Sequence, residues 1–569
     1  MTIEEKRGLI RCALEEEKPE LVLKNCLVAD VFTGEFRKGD VAVSHGRIAG
    51  VGRFRGEREI DLKGQVLAPG FLDAHVHLES SMACPSLFAR SILPRGTTTV
   101  VADPHEIANV AGLEGVRYLM EDAEKAPVNI YFMLPSCVPL NSLDHNGAAL
   151  GPRELRELRD HPRVLGLGEM MDYEGAARGE PELLQKIELL ESGVIDGHAP
   201  SLSGKALQAY RIAGVMTDHE CSTWDEALDR LRNGFFVQVR EGSAARNLTA
   251  ILSGAVKAGV PLDRFVFCTD DMHLEDAQTK GHIDNCVRLA VKLGVSPIQA
   301  VRMATLNPAR LYGLRDLGAV APGYRADLVV LDSADSLRVT GVFKDGVPMD
   351  QLPVSKEKTP APPRVTQSVH VPDLPDTCFR MKTASHFPVI GVVSGQIITR
   401  KLDLPLPGRD GWFEPSGGLL KLAVIQRHDG SGRIGLGAVQ GFGLNHGAIA
   451  STVAHDSHNL IVIGDNDRDM LLAVRELCRC QGGYTVVSGG QVKKTLPLPM
   501  AGLFTDDDSL DLAGELREMT AICRGLGVPD TIDPYQNLSF ISLPVIPELR
   551  LTDEGIYDVL ENTFLRGQE

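Results

Sequence analysis

The chain has 569 residues, with 59 Lys plus Arg against 76 Asp plus Glu and a formal net charge of −17. A surface that acidic repels phosphate backbones and anionic lipid, which speaks against a nucleic acid or a membrane as partner and leaves small uncharged substrates open. Hydrophobic residues at 43% and charged residues at 24% are globular values, and the length suits roughly three to four domains, or fewer if one is a large barrel.

The opening stretch MTIEEKRGLIRCALEEEKPE is charged throughout and lacks the apolar run of an export signal. No apolar stretch long enough to span a membrane follows it. The 11 cysteines have no metal-site spacing and read as reduced, mostly buried thiols of a cytoplasmic protein. From about residue 20, LVLKNCLVAD, GDVAVSHGRIAGVG and EIDLKGQVLAPG are short strand-like runs punctuated by glycine. The same texture returns after residue 316 in LGAVAPGYRADLVVLD and LRVTGVFKDGVPM. Residues 1–67 and 316–365 are therefore expected to form one small β-sandwich domain, split by everything between them.

Residues 68–315 contain eight short apolar runs: FLDAHVHLE, TTTVVADP, VNIYFMLPS, VLGLGEMMD, GVIDGHAP, VMTDHEC, FFVQVREG and FVFCTDDMH. Most are followed by a segment of helical periodicity, such as GPRELRELRDH, so the repeated unit is β then α. That predicts an α/β fold centred on a (β/α)8 TIM-type barrel. PVSKEKTPAPPRVTQS (353–368) reads as a linker, and 366–569 as a further α/β domain.

Metal-competent side chains fall at the C-terminal ends of these runs: His75 and His77, Glu169, His198, His219 and Asp270. In a β/α barrel that end is the catalytic face. His75 and His77 are one residue apart on a strand, so both imidazoles point the same way and can share a cation. Past the second run, His105 and Glu106 can orient ligands or serve a base, or they are a structural His and a helix-start carboxylate. Glu241 and Ser243 end the seventh run on the catalytic face and can contact a substrate, although Arg240-Glu241 is equally a structural ion pair. Asp271 is a site neighbour or a turn cap. His455 and His458, three apart, can ligate a metal if helical, or they form a hydrogen-bonding turn.

Two His from one strand, single His from the fifth and sixth and an Asp from the eighth form the ligand pattern of the amidohydrolase superfamily, which the chain resembles over residues 20 to about 350. The strings GFLDAHVHLESSM, GTTTVVADPHEIANV, LGLGEMM, DHECSTWDEAL and CTDDMH look like the adenine deaminases of that superfamily. GLNHGAIASTVAHDSHNLIVIG resembles that family's own C-terminal domain. Other members with two metals often bridge them with a carbamylated Lys from strand four. Here Glu169 stands in that place, and its two oxygens can bridge two cations unaided.

The resemblance implies hydrolytic deamination of adenine to hypoxanthine and ammonia, in purine salvage. It implies two divalent ions (Mn, Fe(II) or Zn) on His75, His77, Glu169, His198, His219 and Asp270. Asp270, Glu169, Glu106 and His105 are the candidate catalytic groups, Asp270 as the proton shuttle. Glu241, Ser243, Asp271, His455 and His458 are candidates to contact the base. Adenine is the expected small-molecule partner, and a homo-oligomer, such as a dimer, the expected assembly. The alternative is another amidohydrolase acting on a cyclic amide or N-acetyl substrate, since one barrel hosts many chemistries; a non-catalytic scaffold would not be expected to keep the whole ligand set.

Overall fold

The structure, a computed structural model, describes residues 1–565 apart from 144, 244, 354 and 356. The barrel strands are β1 (Phe71–His77), β2 (Thr97–Ala102), β3 (Asn129–Leu134), β4 (Val164–Met170), β5 (Val194–Gly197), β6 (Thr217–Asp218), β7 (Phe236–Arg240) and β8 (Phe265–Cys268). Strands β5-β4-β3-β2-β1 pair in that order and β6-β7-β8 form a second set, all parallel. The cylinder closes where the Met216 amide donates to Ile195 O (2.8 Å) and where Asp270–Asp271, just beyond β8, pairs with Val76–His77. Residues from five strands, Leu72, Ala74, Val101, Met133, Val194 and Val266, meet in one cluster with Tyr312. Side chains fill the cylinder below its mouth, as a closed barrel of this size requires.

Each barrel strand is followed by a helix, so the expected β then α unit runs all the way round. The helices bury one stripe: in Ile283–Lys292, Ile283, Cys286, Val287 and Ala290 face inward at the 3–4-residue spacing of a helical stripe. The flanking β runs join into a single eight-stranded sheet, in which residues 66–69 pair antiparallel with 328–331. Leu23, Val43, Leu67, Leu328 and Phe343 of this sheet meet in one buried cluster.

The C-terminal region forms a mixed eight-stranded sheet. Its central strand Leu460–Gly464 is wholly buried, and helix Asp467–Cys480 lies on it, capped at Asn466. The stretch expected to be a linker is instead a fixed strap in its described residues. Thr359 Oγ1 donates to Asp122 Oδ1 (2.8 Å), Val365 is fully buried, and the Ala501 amide donates to Val365 O (2.6 Å). Charge and proline content signal chain exposure only statistically, and these backbone groups find partners on both sides. One apolar cluster runs from the barrel (Phe88, Tyr118) into the C-terminal domain (Leu422, Ile449, Phe504). The two domains are thereby welded along a shared core.

Candidate metal and substrate site

At the mouth of the barrel the structure brings His75, His77, Glu169, His198, His219 and Asp270 together. His75 and His77 project to the same side of β1, and their Nε2 atoms lie 3.2 Å apart. Glu169 Oε1 lies 3.2 Å from His77 Nε2, while its Oε2 lies 2.7 Å from His198 Nδ1 and 3.2 Å from His219 Nε2. Asp270 Oδ1 lies 3.0 Å from His77 Nε2 and 3.6 Å from His75 Nε2. All but His198, which is partly exposed, are buried. Glu169 thus touches both halves of the set, the position a bridging ligand takes.

The donors fit divalent cations. Two imidazole Nε2 atoms facing each other at hydrogen-bond distance, ringed by carboxylate oxygens, are a poor hydrogen-bond pair and a good cation cage. The ring nitrogens on the far side meet the kind of groups that hold metal-ligating histidines in register. His77 Nδ1 lies 3.1 Å from Asp103 O, and His75 Nδ1 lies 3.8 Å from Asp196 Oδ2. Asp103 also accepts the Glu169 backbone N–H (2.8 Å). Gly168 makes that approach possible, since a Cβ there would sit 2.2 Å from Asp103 Oδ2.

The electrostatics of the ion-free set are those of a cation site. Burial opposes the imidazolium form, but carboxylates outweigh it. Glu220 and Glu169 raise His198 to about 9, and Glu169 and Glu220 raise His219 to about 10. His75, despite burial and the neighbouring His219, is raised to about 9 by Asp196 and Asp270. Burial likewise opposes ionisation of the carboxyls. Even so, Asp270 is held well below the usual range by Arg240 and then His75, and Glu169 by His198.

Arg240 is not paired with Glu241. Its Nη1 donates to Glu220 Oε1 (2.6 Å) and to Asp270 Oδ2, so it crosses from β7 to the ends of β6 and β8. Glu220, whose Oε1 also lies 3.4 Å from His219 Nε2, is a site residue the sequence reading missed. Its signal was present, since it directly follows a strand-end His. The Glu241 backbone instead forms an isolated antiparallel β-bridge with that of Arg246. Ser243 Oγ donates to Asp276 Oδ2 (2.8 Å) and accepts the His273 N–H (2.9 Å), which fixes the turn after β8. Neither Glu241 nor Ser243 lines the cavity described below. Asp270 itself takes φ +59, a left-handed conformation that Asp tolerates better than most residues.

His105 Nδ1 lies 3.4 Å from Glu169 Oε1. Glu106 points the other way, toward the C-terminal domain, where His455 Nδ1 lies 3.0 Å from its Oε1. Burial opposes this pair, but the His455 charge holds Glu106 far below the usual range. The segment 455–457 is a turn, not a helix. Across it the Ala454 amide donates to His458 Nδ1 (3.2 Å), which places the proton of a neutral ring on the buried Nε2, without a hydrogen-bond partner among the described residues. That tautomer is a donor rather than a metal ligand. Buried Arg427 anchors the turn through Nε to His458 O and through Nη2 to Ala501 O (2.9 Å).

Between the barrel mouth and the C-terminal domain lies a small cavity of about 30 Å³. Glu79, Ser80 and Asp271 line it from the barrel, and His455, Tyr484, Tyr535 and Phe540 from the other side. Ser80 Oγ donates to Asp271 Oδ1 (2.5 Å) and Phe540 stacks on His455 at 4.6 Å.

A parallel barrel carrying this strand-end donor set defines a metal-dependent hydrolase of the amidohydrolase family, and residues 66–349 match that family. Residues 396–563 match the adenine deaminase C-terminal domain. The adenine deaminase 2 of Carboxydothermus hydrogenoformans is 47% identical over 558 residues, covering 97% of this chain and 98% of that protein. The adenine deaminase of Desulfitobacterium hafniense is 44% identical with complete coverage of both chains. That of Clostridium acetobutylicum is 44% identical over 99% of this chain and 100% of its own. The chain belongs to the adenine deaminase family.

Proposed function

We propose that this chain hydrolyses adenine to hypoxanthine and ammonia at the barrel mouth. The observation that carries the reading is the convergence of His75, His77, Glu169, His198, His219 and Asp270 in overlapping groups at the barrel mouth, all but His198 buried, in a chain similar to adenine deaminases from end to end. These six residues would hold two divalent cations, Mn, Fe(II) or Zn. Such cations supply the acidification of water that hydrolysis at neutral pH requires.

The chain's own groups do the rest. Asp270 takes one proton of the attacking water and passes it to the ring nitrogen as the C6–O bond forms, then passes the second, from the C6 hydroxyl, to the amine, which leaves as ammonia when the C6–N bond breaks. Arg240 holds Asp270 ionised and aimed. Glu169 fixes the histidines, and His105 steadies Glu169. His455 and Asp271 border the space for the base, and Glu106 holds His455. The cavity lining contains no Lys or Arg, so nothing there would cradle a phosphate, which favours a base over a nucleotide. The 11 free cysteines suit a reducing cytoplasm and a role in purine salvage, and a homodimer completes the reading.

Metal-loaded protein should convert adenine to hypoxanthine with one ammonia released per turnover. Metal analysis of the same sample should give two ions per chain. Inertness of a metal-replete preparation toward adenine refutes the reading.

A further inference from the structure

Two breaks in the barrel ladder are mended by one carboxylate. Along β1 the register against β2 shifts between Asp73 and Val76, and the His75 amide donates to Asp73 Oδ1 (3.3 Å). Strand β8 ends at Cys268, and the next amide, that of Thr269, donates to the same Oδ1 (3.1 Å). Asp73 Oδ2 accepts the Thr269 hydroxyl. His282 closes the group, its Nε2 3.3 Å from Asp73 Oδ2 and its Nδ1 2.8 Å from Thr97 Oγ1 at the start of β2. Asp73, Thr269 and His282 are all buried, where amides that leave a ladder must find other acceptors. Directly after Thr269 the backbone turns left-handed at Asp270 (φ +59) and rejoins β1, with Asp270 opposite Val76 and Asp271 opposite His77. Residues other than glycine seldom take this turn unaided, and where it persists the surroundings hold it.

We propose that Asp73 and Thr269 form a brace that holds the left-handed turn at Asp270 and so aims its carboxylate, which makes both of them positioning residues for the proton transfer. This rests on Asp270 being the shuttle and adds what places it. By that turn Asp270 Oδ1 comes to stand 3.0 Å from His77 Nε2, while Oδ2 takes Arg240. Arg240 holds the carboxylate at its tip, and the brace fixes its root. A single oxygen, Asp73 Oδ1, accepts both the amide of His75 and the amide of the residue before Asp270, so the spacing between a ligand imidazole and the shuttle is tied to one side chain. Proton transfer requires heavy atoms within about 2.6–3.2 Å of each other, and a misplacement of about 1 Å costs up to about 10²-fold in rate. Neither Asp73 nor Thr269 has to touch the substrate. Loss of the Thr269 hydroxyl therefore slows turnover while cations and adenine still bind.

The test is Thr269→Val, which exchanges the hydroxyl for a methyl at nearly constant shape, beside Thr269→Ser, which keeps the hydroxyl. Both are loaded with metal, and rates are counted per metal-filled chain. Thr269→Val should lose about 10- to 100-fold in kcat for adenine with KM within about 3-fold of wild type, and Thr269→Ser should stay within about 3-fold in both. A crystal structure of Thr269→Val should show Asp270 out of the left-handed region, or its carboxylate moved from His77 by about 1 Å. Adding Thr269→Val to Asp270→Asn should slow the chain no further, since the brace acts through that carboxylate. Wild-type kcat in Thr269→Val, a Ser variant as slow as the Val variant, or an unmoved Asp270 overturns the proposal. Should Thr269→Val not fold, Thr269→Ala, which puts no methyl against the carboxylate, carries the same expectations. Failure of both to fold makes the pair structural and overturns the proposal as well. Near-wild-type turnover in Asp270→Asn fails the shuttle reading instead, and the brace then stands or falls by the Asp270 backbone in the crystal structure.

Discussion

Replacing Arg240 with Met keeps the aliphatic stem and removes the guanidinium. Nη1 of Arg240 serves two carboxylates at once, Glu220 and Asp270, and the three side chains are 13%, 16% and 7% exposed. Water therefore reaches none of them well enough to replace the lost charge. Breaking a buried pair from one side costs about 3–5 kcal/mol, because the remaining charge stays uncompensated. In the ion-free chain that should appear as a fall of this size in the free energy of urea unfolding. Shared between two carboxylates, it amounts to about 1–2 pH units on each. Asp270 is depressed in the folded chain, and the Arg240 charge is the main influence opposing its burial. Its activity-supporting charge is therefore present at neutral pH and lost as pH falls through the folded value. Without Arg240 that value rises, so the acid limb of kcat against pH, followed by ammonia release, should move upward by about 1–2 units. An R240M chain with the wild-type urea midpoint and an unmoved acid limb would falsify the role given to Arg240.

Asp270→Asn retains a side chain that tolerates the left-handed backbone at this position and removes the shuttle. Turnover should fall by at least about 10²-fold with the circular dichroism spectrum unchanged, and near-wild-type turnover would discard Asp270 as the shuttle. Glu169→Gln should lower metal occupancy as well as activity, since a neutral amide cannot balance two cations; full occupancy by elemental analysis would contradict the bridging role. His455→Ala strands Glu106 in the domain interface and should cost about 3–5 kcal/mol in stability, while an unaltered melting curve would show that pair to be inert. The ligand histidines His75 and His198 sit at about 9 in the ion-free chain. Below that pH protons compete with cations, so apparent metal affinity should rise from pH 7 to 9 and loading should release protons, read by calorimetry in two buffers. With the same sign, the ion-free chain gains stability from these raised histidines below about pH 6.5 and loses it as pH climbs to about 9.

The barrel was legible because its evidence is local. Each strand carries its own apolar run and its own terminal polar residue, and His75 with His77 announces a shared face through the two-residue period of a strand. The fold class and family stand as expected. The rest depends on contacts that no local pattern encodes. Glu106 meets His455 across 349 positions of sequence, and neither residue's neighbours hint at the other. Glu220 was hidden by its own position, since adjacent strand residues ordinarily face opposite ways and the chain turns just after β6. The sequence offered Arg240 an ion pair with its neighbour Glu241 as one of two readings, while its partners lie at the ends of two other strands. Glu79 carries no pattern of its own in the sequence, and only its burial distinguishes it. The strap at 359–366 was misread because proline and lysine suggest mobility while the tertiary contacts that hold Thr359 and Val365 are invisible in composition.

The cavity walled by both domains has a thermodynamic consequence. An occupant that touches Asp271 on one side and Tyr535 on the other binds only when both domains are folded and joined. By mass action it then stabilises the pair together, by about 2.7 kcal/mol at a hundred times its dissociation constant. Separate melting of barrel and C-terminal domain, if it occurs in the empty protein, should merge toward a single transition as the base is added. The availability of substrate would in this way set how long the chain survives, in addition to how fast it works.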